Sequence, residues 1–465
     1  MCDGKHEIIL KNLQNNEKIP HSVLFLHGVI VEKCSENSLA IILNSEYSDY
    51  CSISQKTSEF KYFVRLKKGE NKLKLSYCKS ELSLIVYQEI SENLRVVTPL
   101  YIVVNGHDGR FQARERNEAE NACRRISLGL EIVQMIFAEK IRGFCGSGRK
   151  TFRLGRECQQ FHSSLKLQEA YSMTESELWS FFARELIDRM PNCRNHKFVA
   201  FIGCTSYKGV SSDGGDESAV SYESIRAATV GNAALASGGL ALLGSGTLFS
   251  WPESLSEIKR CLEDETKVPM TELMDDSGYR RTFGGCFTTS LGTLLHEMGH
   301  IFDLAHCDEG VMGGGSDRLD QMLTLRDFHG KYEHVPGRCV PKGREVKCTV
   351  VRREPRGRPF NSTGVYFTEN CLMLLVSHKW FNDWPWGSQL DAGLAFNAHT
   401  RRISGKFPLQ LVEMRNCCGL TERYWIVSAS KDTNNIYFTF PPHIQLIKCT
   451  IFCIDAFGNM LNVEL

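Results

Sequence analysis

Between Leu294 and Met312 the chain reads Leu294-Leu295-His296-Glu297-Met298-Gly299-His300-Ile301-Phe302-Asp303-Leu304-Ala305-His306-Cys307-Asp308-Glu309-Gly310-Val311-Met312, and this stretch restricts the possible folds more than any other. On a helix, residues four apart lie one turn above each other, so His296 and His300 point the same way and can grip one ion. The pattern predicts a helix from about Thr289 to Phe302. A third ligand has to come from outside that helix, and His306 is available after one turn of chain. Glu297, next along the helix, can reach the fourth position, where a water binds. Three neutral imidazoles leave a zinc ion its +2 charge and one open site, the arrangement of a catalytic centre rather than a closed structural one.

Chance explains this poorly. With 14 histidines in 465 residues, a random His-Glu-x-x-His arises with a probability on the order of 1%. A further histidine at the sixth position beyond His300 lowers that by a factor of about thirty. Asp308 or Cys307 could substitute for His306 as third ligand, although Cys307 reads more simply as an ordinary thiol.

The stretch from His296 to His306 resembles the elongated metzincin zinc motif, His-Glu-x-x-His-x-x-Gly-x-x-His, with Asp303 at the glycine position. Met312, six residues past His306, resembles the methionine of the Met-turn beneath the metal. Glycine in that motif lets the chain leave the helix with positive φ, and aspartate is among the next most tolerant residues of that conformation. More narrowly, the chain resembles a eukaryotic family of zinc metallopeptidases whose fungal members carry a C-terminal jacalin-like lectin module. Gly106-His107-Asp108-Gly109-Arg110-Phe111, Gly239 to Gly246, and Ser377-His378-Lys379-Trp380-Phe381-Asn382 carry that resemblance, in this order around the zinc motif.

The resemblance implies an α/β metzincin-like domain with one Zn2+ per chain on His296, His300 and His306, Glu297 as catalytic base, and a peptide or protein substrate. In metzincins an edge strand ahead of the active helix pairs with the substrate. Gly239 to Gly246 is the candidate here, and a central buried strand is the equal alternative. Gly313 to Gly315 either shape a substrate pocket or form a plain loop. The C-terminal strands show no lectin pattern, so no carbohydrate-binding role is carried over. Two other functions remain open. One is a scaffold that zinc merely stabilises, which the carboxylate at Glu297 argues against. The other is a zinc aminopeptidase or amidase acting on small substrates.

Around this centre the sequence divides into three parts, a size-driven expectation for 465 residues. Residues 1–92 read as a β-sandwich-like domain. Phe60, Tyr62, Val64 and Leu66 alternate, a turn follows at residues 67–71, and Leu73, Leu75 and Tyr77 alternate again, which predicts a hairpin. Residues 93–385 read as the peptidase domain. It has a buried strand at Leu100–Val104, a long amphipathic helix from Glu118 to Lys140, and a capping box at Thr174 and Glu177. A strand at Phe198–Cys204 and a helix from Glu369 to Phe381 complete it. Within it, residues 336–359 are strongly basic, read as a solvated insertion or an acidic partner's docking site. Residues 386–465 return to strands and read as a C-terminal β-rich, sandwich-like domain. His107 is expected to serve a loop. His378 is expected to be a satisfied buried histidine.

The formal net charge of +1 gives no reason to expect nucleic acid or an acidic membrane as partner, whereas the flanking β domains are candidates to bind proteins. Met1 to Leu10 is polar, with no apolar signal-like core, and no apolar run approaches bilayer length. The 19 cysteines are an odd number without framework spacing. They are expected as reduced thiols of an intracellular, cytoplasmic protein, the nucleus being the alternative.

Overall fold

The computed structural model describes residues 6–146, 148–210, 221–277, 280–325, 365–383, 393–427 and 435–465. The basic stretch 336–359, His329 and His334 lie outside them. Among the described residues no helix is long and apolar enough to cross a membrane.

Residues 7–88 form two facing sheets. Glu7–Leu10, Val23–Val31 and Glu59–Arg65 make one, and Glu17–Ile19, Ser38–Leu43, Tyr47–Ser52, Gly69–Tyr77 and Ser80–Gln88 make the other. Every second side chain of each sheet enters one shared core, with Leu24, Leu26, Phe60 and Val64 meeting Leu39, Ile41, Leu73 and Leu75. The alternation expected for 60–77 holds, but the hairpin does not. Glu59–Arg65 pairs with Val23–Val31, whereas Gly69–Tyr77 pairs with Ser38–Leu43 and Ser80–Gln88. The turn at 67–71 carries the chain from one sheet to the other. Alternation reports which face is buried, and both strands bury theirs toward the same core, so it could not reveal the partner.

The central sheet is built from apolar runs buried on both faces. Arg153–Leu154 and Gln159–Lys166 lie at one edge, followed by Val96–Asn105, His196–Ile202, Leu240–Gly244 and Ala234–Ser237. Neighbours are parallel except the last pair, which is antiparallel. Odd and even positions divide cleanly between two cores. Tyr101, Val199, Phe201 and Leu243 face the long helix Ala119–Cys145 and the motif helix Phe283–Ile301. Leu100, Ile102, Ala200 and Leu242 face the helix Glu175–Arg189, whose capping box at Thr174 and Glu177 is formed. Leu240–Gly244 is thus an interior strand, and the edge belongs to Ala234–Ser237, so the substrate-strand candidate at Gly239–Gly246 is corrected.

The motif helix starts at Phe283, ahead of the expected Thr289. Thr282 caps it by accepting the Gly285 amide at 3.0 Å, and of the Gly284-Gly285 pair that hid this turn, Gly284 leaves room for the backbone at Leu262 and Asp264 and Gly285 for the Arg280 side chain. At the other end Phe302 packs against Phe381 and Phe152, with ring centroids 4.8 and 5.2 Å apart. Phe381 itself lies beyond the helix Glu369–Ser377, which stops earlier than expected.

The C-terminal strands form a three-stranded sheet (Ala395–Asn397, Arg402–Ser404, Tyr437–Thr439) and a four-stranded one (Leu409–Asn416, Thr421–Ile426, Cys449–Asp455, Met460–Glu464). Ile403, Val412, Phe440 and Ile451 pack together. Leu411, Phe452 and Ile454, on the opposite face, join the core that holds the motif helix. The expected limit at 385 lies outside the described residues, and on either side of it Leu374 and Leu375 share one core with Leu411, Phe452 and Ile454.

Candidate metal centre

His296 and His300 project from consecutive turns of the motif helix, and their Nε2 atoms lie 3.1 Å apart. Past the helix, Asp303 adopts φ 65°, the left-handed conformation expected at the motif's glycine position. The turn delivers His306, whose Nε2 is 3.2 Å from that of His300. Backbone bonds to the C-terminal sheet fix His306 in place. Its amide donates to Gly419 O at 3.1 Å, and the Thr421 amide donates to His306 O at 2.9 Å.

Protonation decides what this cluster is for. The Nδ1 of His296 faces Val311 O at 2.8 Å, and that of His300 faces Leu304 O at 2.9 Å. A carbonyl only accepts, so both Nδ1 atoms carry the hydrogen and both Nε2 atoms present lone pairs. Burial, with the neighbouring imidazoles adding to it, pushes His296 to about 4 and His300 to about 3, and burial also lowers His306. All three rings are therefore neutral at pH 7. Lone pairs aimed at one another from about 3 Å repel unless a cation sits among them, and the carbonyls behind the rings are the usual support of metal-bound histidine. The three histidines fit a metal ion. Imidazole donors suit zinc.

Glu297 is buried beside them, its carboxyl raised from 4.5 to about 7 by burial and by the charge of Glu175, against a hydrogen bond from the Ala236 amide. That amide belongs to the antiparallel edge strand, which packs against the motif helix. Glu175 also lines a cleft of about 460 Å³ with Tyr171, Thr174, Arg226, Gly231 and Asn232, where it pairs with Arg226 at 2.8 Å. The cleft is lined by neither Glu297 nor the three histidines, and Glu297 meets it only through the charge of Glu175. A base near neutrality beside a metal position can take a proton from water and return it.

The loop beyond His306 turns back under the helix. The Cys307 amide donates to Met312 O at 3.0 Å, and the amides of Gly313 and Gly315 both donate to Gly310 O. Met312 is buried, with its sulfur where a side chain at Gly299 would stand, so glycine at that helix position is required by the methionine beneath it. Neither alternative ligand joins the cluster. Asp308 is exposed, and the Cys307 sulfur lies 3.6 Å from that of Cys371, lowered by hydrogen bonds from Cys371, Thr368 and Asn370.

His378 is the satisfied buried histidine expected, but its partner Asp303 and a second support of that residue carried no mark in the sequence. Asp303 accepts a hydrogen bond at 3.1 Å from Nε2 of fully buried His378, whose Nδ1 accepts the Trp380 amide. Arg415 donates to Asp303 O at 2.9 Å while pairing with buried Glu413 at 2.6 Å. The two contacts to Asp303 join segments more than 70 residues apart, and no local pattern marks such pairs. His107 accepts the Gly109 amide at 3.2 Å, the loop role expected of it.

A family model described as "Putative peptidase family" matches residues 7–354. The chain is 25% identical over 381 residues to a protein of Saccharomyces cerevisiae named a "putative zinc metalloproteinase", an alignment covering 74% of this chain and 53% of the relative. It is 21% identical over 351 residues to a Schizosaccharomyces pombe protein of the same description, covering 69% and 54%. The chain spans about half the length of these curated relatives.

Proposed function

This chain belongs to that peptidase family, and on that premise we propose that it is a zinc-dependent metalloendopeptidase of metzincin type, with one catalytic Zn2+ per chain on His296, His300 and His306. The observation that carries the reading is the convergence of the Nε2 atoms, with the Nδ1 hydrogens of His296 and His300 held by carbonyls. When bound, zinc polarises the scissile carbonyl and acidifies water. Glu297 orients the attacking water, takes its proton and hands it to the leaving amine. Burial raises its pKa, and a divalent cation held by the three histidines would lower it toward the ionised form that the base needs.

The edge strand supports a peptide as substrate. Ala234–Ser237 pairs with Leu240–Gly244 on one side only, among the described residues, and an extended peptide can add to the other. Its Ala236 amide already reaches Glu297, so a peptide lying along this strand passes the base. The flanking β domains are proposed as protein-binding modules and the chain as intracellular. Incubation of the purified chain with a random peptide library is the test. Internal cleavage that a zinc chelator abolishes and added zinc restores is the expected result. Release of single N-terminal residues alone would replace the endopeptidase with an aminopeptidase, and chelator-resistant cleavage would remove the metal from the reaction.

A further inference from the structure

A second group of metal-type donors lies at one end of the N-terminal sandwich, in segments with no part in the catalytic site. His6 precedes the first strand, Cys34 sits in the turn between Val23–Val31 and Ser38–Leu43, and Cys78 occupies the turn between Gly69–Tyr77 and Ser80–Gln88. One donor atom from each lies within 4.8 Å of the other two. We propose that His6, Cys34 and Cys78 bind a structural zinc ion that fastens the start of the chain to the two turns.

The spacing supports a metal. The sulfurs of Cys34 and Cys78 are 3.5 Å apart. Two thiolates on one tetrahedral zinc, each at about 2.3 Å, stand roughly 3.8 Å from one another. A disulfide holds its sulfurs at about 2.05 Å, so the pair is unbonded and within reach of one ion, and His6 supplies the third donor that the Cys307–Cys371 pair, at 3.6 Å, lacks. A backbone carbonyl stands behind the His6 ring, as behind those of His296 and His300. Its Nδ1 faces Glu32 O at 2.6 Å and therefore carries the hydrogen, which makes Nε2 the lone-pair nitrogen. The ring is buried edge-on to Tyr77, with centroids 5.0 Å apart, and Ser80 Oγ donates to the His6 carbonyl at 2.7 Å. The donor is thus fixed before an ion arrives.

Two thiolates and an imidazole select zinc over calcium or magnesium, leaving one position for a further donor or water. Cys78 holds φ 51°, left-handed backbone that an L residue adopts at a cost, and it places the sulfur opposite Cys34.

The test counts metal on the full chain purified under reducing conditions. The wild type should carry about two zinc ions and the Cys34→Ser/Cys78→Ser variant about one, while His296→Ala/His300→Ala also retains about one. The last two results separate this site from the catalytic one. Equal zinc content in the wild type and the cysteine variant would overturn the proposal. Should that variant not fold, cobalt loading of the metal-free wild type decides. A thiolate-to-cobalt charge-transfer band that Cys78→Ala abolishes supports the site, and a wild type without that band, or a Cys34–Cys78 disulfide found by peptide mapping, contradicts it.

Discussion

Replacing Asp303 by glycine separates the two jobs this residue does. The motif alone says the change is harmless, because glycine takes the left-handed conformation more easily than aspartate. The structure adds the side chain, whose Oδ2 accepts from Nε2 of His378 in a fully buried ring. His378 cannot turn to another acceptor, since its Nδ1 already accepts the Trp380 amide at 3.2 Å. Burial opposes ionisation of Asp303, and the His378 bond with the charges of Lys197 and Arg415 overcomes it and holds the carboxyl below its usual range. Relief of the left-handed backbone returns about 1 kcal/mol, but glycine's extra freedom in the unfolded chain removes a similar amount. What remains is the orphaned imidazole donor, which costs about 1–3 kcal/mol. Asp303→Gly should therefore be less stable than wild type by about 1–3 kcal/mol in urea unfolding, with the zinc of the histidine cluster retained. Asp303→Asn keeps both an acceptor and tolerance of positive φ, and should lie within about 1 kcal/mol of wild type. A glycine variant as stable as wild type would refute the argument from His378. Loss of the metal in the asparagine variant would make Asp303 a participant in the site itself.

Arg415→Met should cost about 3–5 kcal/mol, because it leaves Glu413 charged, 1% exposed and without its cation. The Arg415→Met/Glu413→Leu double variant should recover much of that in the same denaturant titration, and a single variant within 1 kcal/mol of wild type would show the pair to be dispensable. His21 is buried, and desolvation together with the Arg149 charge takes it from 6.5 to about 3. Its folded pKa is depressed, so the stability it supports is present above pH 6.5 and lost as the pH falls toward 3. Between pH 7 and 5 the loss should be about 2 kcal/mol, read as the difference between the pH dependences of wild type and His21→Leu. Parallel pH dependences would contradict it.

The zinc motif was legible because helical geometry is local: a spacing of four residues places His296 over His300 whatever surrounds them. Asp303 was legible for the same reason, as a backbone requirement confined to one residue. Sheet partners were not. The strand at 59–65 and the strand at 69–77 bury the same face, and only the long-range pairing with Val23–Val31 assigns the first to a different sheet. The apolar run at Gly239–Gly246 carried no mark of whether it lay inside or at the edge, since Ala234–Ser237 is short, small and half-buried. The start of the motif helix at Phe283 was masked by Gly284 and Gly285, poor helix formers that packing selects. The C-terminal strands gave no sign that they would hold His306 through Gly419 and Thr421, because backbone bonds between distant segments leave no trace in side-chain pattern.

Glu297→Gln tests the central claim most directly. The amide keeps the size of the side chain and its contact with the edge strand, but it cannot accept the proton. Peptide cleavage should fall by about 10²- to 10⁴-fold. Zinc content should remain at the wild-type value, because no ligand is removed. A variant that cleaves as fast as wild type while holding the same zinc would contradict the assignment of Glu297 as the base.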